Sequence, residues 1–260
     1  METQYFKNYS PALERNMECG IWGHAGRPVL YIPGQDGRYF DFENFNMVDY
    51  FAPWIDAGEL MVCGIDPIDA ETYSAFGDPH ERILRHEKWI KYITEEVVPF
   101  LTRIARERNG WEGEVGIIAF GCAMGATHAA NLYFRFPFLF NGLLSLSGTF
   151  SSEPGFGDYS DNWVYLNSPV DYLPNLSEDH PYMKVYRRQR AVICCGQGNW
   201  EYPETVYQMR DICAEKDIPV WVDLWGQDVT HDWPWWYKQV EYFLPYLLGD
   251  EDWPLGLDEE

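Results

Sequence analysis

The sequence predicts an α/β fold in which a mostly parallel central sheet carries helices on both faces. Short apolar runs recur along the chain, amphipathic stretches of helical length separate them, and Gly, Pro or Asp turns punctuate the runs. The runs are continuous rather than alternating. That is the pattern of strands buried on both faces, hence of a sheet covered on each side.

Taken in order, residues 17–22 read as a strand pairing antiparallel at one side of the sheet. Residues 29–32 form a strand that stops at Pro33-Gly34, and residues 60–65 form another that stops before Asp66-Pro67. The segment 81–108 spaces Ile83, Ile90, Ile93, Val97, Leu101 and Ile104 three or four apart in register, the period of a helix with one buried face. Pro99 lies inside it and predicts a kink or a break. Residues 115–120 read as a strand running into a Gly-rich turn and a small-residue helix. Strands at 143–146, 191–195 and 220–225 follow. Val206, Met209 and Cys213 share one face of a helix, and Val240, Phe243, Leu244 and Leu247 share one face of the closing helix. The stretch 149–189 has neither period and reads as a cap-like insertion over the carboxyl edge of the sheet. Residues 1–250 are expected to form one domain, and 251–260 an acidic tail.

The composition narrows the function. The chain has 260 residues and a formal net charge of −22, with 46% hydrophobic and 17% aromatic residues. Such a charge argues against nucleic acid and against an anionic membrane surface, both of which need a basic face. A chain this long buries roughly 70–75% of its unfolded surface, enough for a substantial core. No apolar run approaches the ~18 residues of a membrane span. The start has no basic-then-apolar leader, and six cysteines without one fit reduced thiols, so a cytoplasmic location is expected. A homo-oligomer is left open.

The chemistry concentrates in two segments. After strand 115–120 comes Gly121-Cys122-Ala123-Met124-Gly125, then Ala126-Thr127-His128-Ala129-Ala130. A strand, a Gly-x-x-x-Gly turn and a helix make a nucleophile elbow, whose central side chain stands at the helix N-terminus. Working elbows of this kind carry Ser at the centre; here the residue is Ala123. Between the last strand and the last helix lies Gly226-Gln227-Asp228-Val229-Thr230-His231-Asp232-Trp233-Pro234-Trp235-Trp236, where a triad histidine belongs. His231 alone among six histidines sits in such a loop. His128, inside the elbow helix, reads as packing. His80 and His86 are six apart, not the four of a zinc-binding helix, and read as solvated. His24, in Gly23-His24-Ala25-Gly26, reads equally as a residue approaching the site or as a turn residue. No cofactor and no metal is called for.

The acid that orients the histidine is expected after strand 191–195, in Gly196-Gln197-Gly198-Asn199-Trp200-Glu201. Glu201 is the choice, with Asp223, Asp228 and Asp232 as alternatives near His231. An oxyanion hole needs two backbone N–H groups. Met124, next after the elbow residue, and Gln35, in the loop after strand 29–32, are the candidates. Tyr39, Trp163 and Trp233 are candidate substrate contacts in an aromatic-lined cleft.

With Gly23-His24-Ala25-Gly26-Arg27-Pro28-Val29, the elbow, Leu146-Ser147-Gly148 and His231-Asp232-Trp233-Pro234-Trp235-Trp236, the chain resembles bacterial esterases of the esterase D and mycolyltransferase type. The similarity runs from about residue 5 to residue 248. It implies an α/β-hydrolase fold, a Ser-His-carboxylate triad at positions 123, 231 and 201, and acyl-ester chemistry on a small-molecule ester, by hydrolysis or acyl transfer. Ala123 departs from the pattern, since without a hydroxyl no acyl-enzyme forms there. Either a serine has been replaced in this chain or the nucleophile was lost naturally, and the second case leaves a noncatalytic binding protein as the rival.

Overall fold

The computed structural model describes residues 1–258. Its eight strands are β1 (Thr3–Ser10), β2 (Arg15–Trp22), β3 (Arg27–Ile32), β4 (Leu60–Ile65), β5 (Ile117–Cys122), β6 (Phe140–Leu146), β7 (Arg190–Cys195) and β8 (Val220–Leu224). They form one sheet in the order β1-β2-β4-β3-β5-β6-β7-β8. β1–β2 and β2–β4 pair antiparallel, and every other pair is parallel.

Helices α1 (Asp41–Asn44) and α2 (Met47–Asp56) follow β3, and α3 (Pro79–Tyr92) and α4 (Val98–Asn109) follow β4. α5 (Met124–Arg135) follows β5. The short α6 (Glu153–Phe156), α7 (Asn162–Leu166), α8 (Pro169–Tyr172) and α9 (Pro181–Tyr186) occupy the stretch between β6 and β7. α10 (Glu204–Glu215) and α11 (Trp233–Leu248) flank β8.

Period-two alternation along the strands sorts the two cores. Leu30, Ile32, Ala119 and Ile193 pack with Leu101, Leu132 and Met209 of α4, α5 and α10. Val29, Tyr31, Phe120 and Leu144 point the other way, onto Phe51, Val240 and Phe243 of α2 and α11. Each fully buried Val, Leu, Ile, Phe or Met side chain among them is worth about 1.5–3 kcal/mol. Six free cysteines are all buried. Among the described residues no helix is long and apolar enough to cross a membrane.

Locally the structure adds one strand, locates the irregularity expected at Pro99 and moves one histidine inward. The opening strand β1 goes unread in the sequence because it lies at the sheet edge with most of its side chains exposed, so it shows no apolar period. The 81–108 helix begins at Pro79, where Asp78 caps the His80 and Glu81 N–H groups, and it breaks ahead of Pro99 as a π-helical turn over Ile93–Val97. Proline supplies no N–H to the ladder, and the wider turn passes that defect. His86, expected in solvent, is 1% exposed. Its spacing from Ile83 and Ile90 puts it on the inward face of α3, between the rings of Tyr73, Trp89 and His128. His128 is buried as well, with Nε2 2.8 Å from Asp69 Oδ1. The acidic end segment is described through Asp258, and its Trp253 ring stands edge-on to Trp221; Glu259 and Glu260 lie outside the described residues.

Candidate active site

The elbow is built by glycine contacts. Ala123, between β5 and α5, adopts φ 54° and ψ −124°, a backbone region that a side chain enters only under constraint. Its N–H donates to Leu146 O at 2.9 Å, while its carbonyl accepts from Ala126 and Thr127 N–H at 3.0 and 3.2 Å. The turn closes this tightly because both flanking residues lack a Cβ. One added to Gly121 would lie 2.3 Å from the Gly125 backbone, and one added to Gly125 would lie 2.0 Å from Ile32 O. The strained turn lifts the Ala123 methyl into a cavity of about 720 Å³. The neighbouring Cys122 turns into the core, where burial pushes its thiol far above the ordinary range.

Met124 and Gln35 line the same cavity. Met124 opens α5, so its N–H has no partner within the helix. Gln35 sits in the turn closed by the Gly37 N–H to Gly34 O bond. Gly34 packs beside the elbow, where an added Cβ would lie 4.0 Å from that of Ala123.

His231 reaches the cavity from the loop between β8 and α11. Its Nδ1–H donates to Glu201 Oε2 at 3.2 Å. Two loops are zipped together to present this pair. Gln197 N–H bonds Gly226 O, Gly198 N–H bonds Val229 O, and His231 N–H bonds Asn199 O. The other carboxylate oxygen, Glu201 Oε1, accepts from Ser147 Oγ at 2.8 Å and from Gly196 N–H at 3.1 Å. Burial alone raises the Glu201 pKa, but the bonds from His231, Ser147 and Gly196 outweigh it and hold the carboxyl below its usual range. Cys195 Sγ lies 3.4 Å from Oε2, and its buried thiol is pushed upward, so it remains a protonated donor.

Two of the alternative acids are engaged elsewhere. Asp223 accepts from Trp225 Nε1 at 3.1 Å, and Asp232 caps α11 through Trp233 N–H. Asp228 makes no hydrogen bond to His231.

Sequence reasoning missed two residues that hold the pair. Ser147 Oγ also accepts from Trp236 Nε1 at 2.9 Å, and the Trp236 ring stands edge-on to His231 with centroids 5.1 Å apart. The backbone signal at Ser147, a φ of 58°, is invisible in the sequence.

The aromatic-lined cleft requires correction. Tyr39, Trp163 and Trp233 lie outside the cavity lining, which is formed mostly by small side chains with Met124 and Tyr202 among them. Tyr39 packs against Tyr5 and Phe40, Trp163 lies exposed on α7, and Trp233 stacks on Phe45 at 4.6 Å. Aromatic side chains here close the gap between α1, α2 and α11 instead. Among the described residues no group of three or more His, Cys, Asp and Glu is arranged to hold a metal.

Solved structures share this architecture. A ferulic acid esterase is 17% identical, with a TM-score of 0.70 over 95% of this chain and 98% of the other. The fluorophosphonate-binding serine hydrolase F of Staphylococcus aureus is 13% identical, with a TM-score of 0.66 over 95% and 98%. An S-formylglutathione hydrolase from Agrobacterium tumefaciens is 14% identical, with a TM-score of 0.65 over 93% and 91%. At these identities the likeness is one of fold. No curated protein matches the chain. The family model described as "Putative esterase" matches residues 10–246, and the chain therefore belongs to that esterase family.

Proposed function

We propose that this chain is the scaffold of a serine-type carboxylic ester hydrolase whose nucleophile position carries alanine. The observation that carries the reading is the buried Glu201–His231 pair, at 3.2 Å, opening onto the same cavity as the strained elbow residue. Family membership and the fold of the ferulic acid esterase and the S-formylglutathione hydrolase support it.

With a serine at position 123, its Oγ would attack the ester carbonyl while His231 Nε2 took the hydroxyl proton. Glu201, bonded to Nδ1–H, would fix the tautomer and stabilise the imidazolium. Met124 and Gln35 N–H groups would meet the charge developing on the carbonyl oxygen. His231 would then return the proton to the departing alcohol, and water would repeat the sequence on the acyl-enzyme. Acyl transfer shares every step until an alcohol or amine replaces that water. The Ala123 methyl can neither attack nor give up a proton, so the chain as it stands binds ester without turning it over.

A noncatalytic binding protein is the second reading, and Ala123 itself favours it. Assaying Ala123→Ser on a panel of aryl and alkyl esters separates the two. Turnover supports the esterase, and a folded but inert variant supports the binder. Product analysis with and without an added alcohol distinguishes hydrolysis from transfer.

A further inference from the structure

Three donors converge on the buried Glu201 carboxyl: Ser147 Oγ and Gly196 N–H on Oε1, and His231 Nδ1–H on Oε2. The Gly196 bond comes from the backbone, and the His231 bond belongs to the triad itself. The Ser147 bond differs from both, because a hydroxyl can turn and serve as donor or acceptor. Its direction is fixed from behind. Trp236 Nε1–H donates to Ser147 Oγ at 2.9 Å, and an indole N–H can do nothing but donate. The hydroxyl oxygen therefore accepts on that side, and Glu201 Oε1 takes its hydrogen on the other. The same indole borders the base. Its ring stands edge-on to the His231 imidazole, one turn into α11, whose start is fixed by the Asp232 cap and by Pro234. One rigid side chain thus touches His231 directly and Glu201 through Ser147.

The backbone at Ser147 points the same way. Its φ of 58° lies in the left-handed region, which glycine enters freely and serine only at a cost. The residue is 5% exposed, and its N–H donates to Cys194 O at 2.7 Å. A glycine would make this turn with less strain, so the hydroxyl, not the backbone, accounts for a serine here. The other titratable groups near Glu201 are the thiols of Cys122, Cys194 and Cys195, all kept protonated by burial. Glu204 at the start of α10 adds its charge on the Cys195 side.

We propose that Ser147 and Trp236 are positioning residues of the triad: the indole N–H turns the Ser147 hydroxyl onto Glu201, and that bond orients the carboxylate that faces His231. Both act through Glu201 and His231 rather than on the ester. The consequence for turnover rests on the esterase reading, and the consequence for Glu201 does not.

Glu201 can be followed on the chain as it exists by carbon-13 NMR of the glutamate carboxyls, its signal assigned by loss in Glu201→Gln. Two variants break the bond sequence at different points. Ser147→Gly deletes the hydroxyl while relaxing the left-handed backbone, and Trp236→Phe keeps a ring beside His231 without the N–H. Circular dichroism should show both folded. The Glu201 midpoint should rise by about one pH unit in Ser147→Gly, a roughly tenfold gain in proton affinity. In Trp236→Phe it should rise by a smaller step, because the hydroxyl remains but is no longer polarised and aimed. A midpoint unchanged or lowered in folded Ser147→Gly overturns the proposal. Loss of folding in both variants also overturns it, since the two residues would then serve the fold rather than the triad. In an Ala123→Ser background that turns over aryl esters, adding Ser147→Gly should lower kcat about tenfold and change KM less than about twofold, the split expected of an interaction felt in the transition state. An unchanged kcat there overturns the proposal. An inert Ala123→Ser protein removes the esterase reading instead and leaves the Glu201 titration to decide.

Discussion

Ser147 Oγ lies 2.8 Å from Glu201 Oε1, on the carboxylate whose other oxygen faces His231. One hydroxyl thereby ties the end of β6 to the loop after β7. Through the Trp236 indole N–H it also ties both to the start of α11. One side chain thus joins the loop that carries the acid to the helix that follows the His231 loop.

Replacing Ser147 by alanine leaves the Trp236 N–H and one Glu201 lone pair without their buried partner. The cost should be about 1–3 kcal/mol, a fall in Tm of roughly 2–4 °C per kcal/mol for a chain of this size. Thermal unfolding of the variant checks it, and an unchanged Tm would mean the hydroxyl holds nothing.

Acid should weaken the fold through Glu201. Its folded pKa lies below its unfolded one, so its contribution is complete above the unfolded value, near 4.3. That contribution is lost as pH falls through the lower folded value. Urea midpoints measured from pH 6 to pH 3 should therefore drop more steeply for the unmodified chain than for Glu201→Gln. Parallel curves would contradict the assignment.

His86 should act at milder pH. Burial, with His128 and Arg135 nearby, holds its imidazole well below 6.5 against a weaker opposing contact from Asn167, and neither ring nitrogen makes a hydrogen bond of good geometry among the described residues. The unfolded chain takes up that proton first, so stability falls as pH drops below about 6.5. His86→Phe keeps a ring among Tyr73, Trp89 and His128 without the unpaired nitrogens. It should raise stability by about 1 kcal/mol at neutral pH and flatten this limb of the curve. A Tm several degrees lower would show that the nitrogens are satisfied in solution.

Glycine at position 125 should be indispensable. A methyl there meets Ile32 O and Pro33 O at 2.0 and 2.5 Å, whereas one at Gly113 meets nothing within 4 Å. Gly125→Ala should cost more than about 3 kcal/mol or prevent folding, and Gly113→Ala should stay within about 0.5 kcal/mol of the parent. Comparable yields and Tm values for both would refute the elbow packing.

The sequence carries the elbow and the Glu201–His231 pair for a physical reason. A glycine bracket is a local backbone requirement, and the ends of parallel strands fall on one edge of the sheet, so Glu201 after β7 and His231 after β8 must meet there. Ser147 is different. Its role depends on a partner 54 residues away and on a positive φ, neither of which leaves a local pattern. The cleft lining is hidden in the sequence for a related reason. Aromatic content shows that large rings are present, not which way they point, and here Phe45 with Trp233 and Tyr50 with Tyr237 stack between helices. β1 shows the limit at an edge, where exposed side chains erase the strand period.

The central claim, that a complete esterase site lacks only its hydroxyl, is tested most directly by fluorophosphonate labelling of Ala123→Ser. The unmodified chain should remain unlabelled. Ala123→Ser should be labelled at residue 123 and should hydrolyse aryl esters, and adding His231→Ala should abolish both, leaving at most the ~10³–10⁴-fold acceleration over water that binding and an oxyanion hole supply. A folded Ala123→Ser protein that takes up no label and turns over no ester would contradict the account.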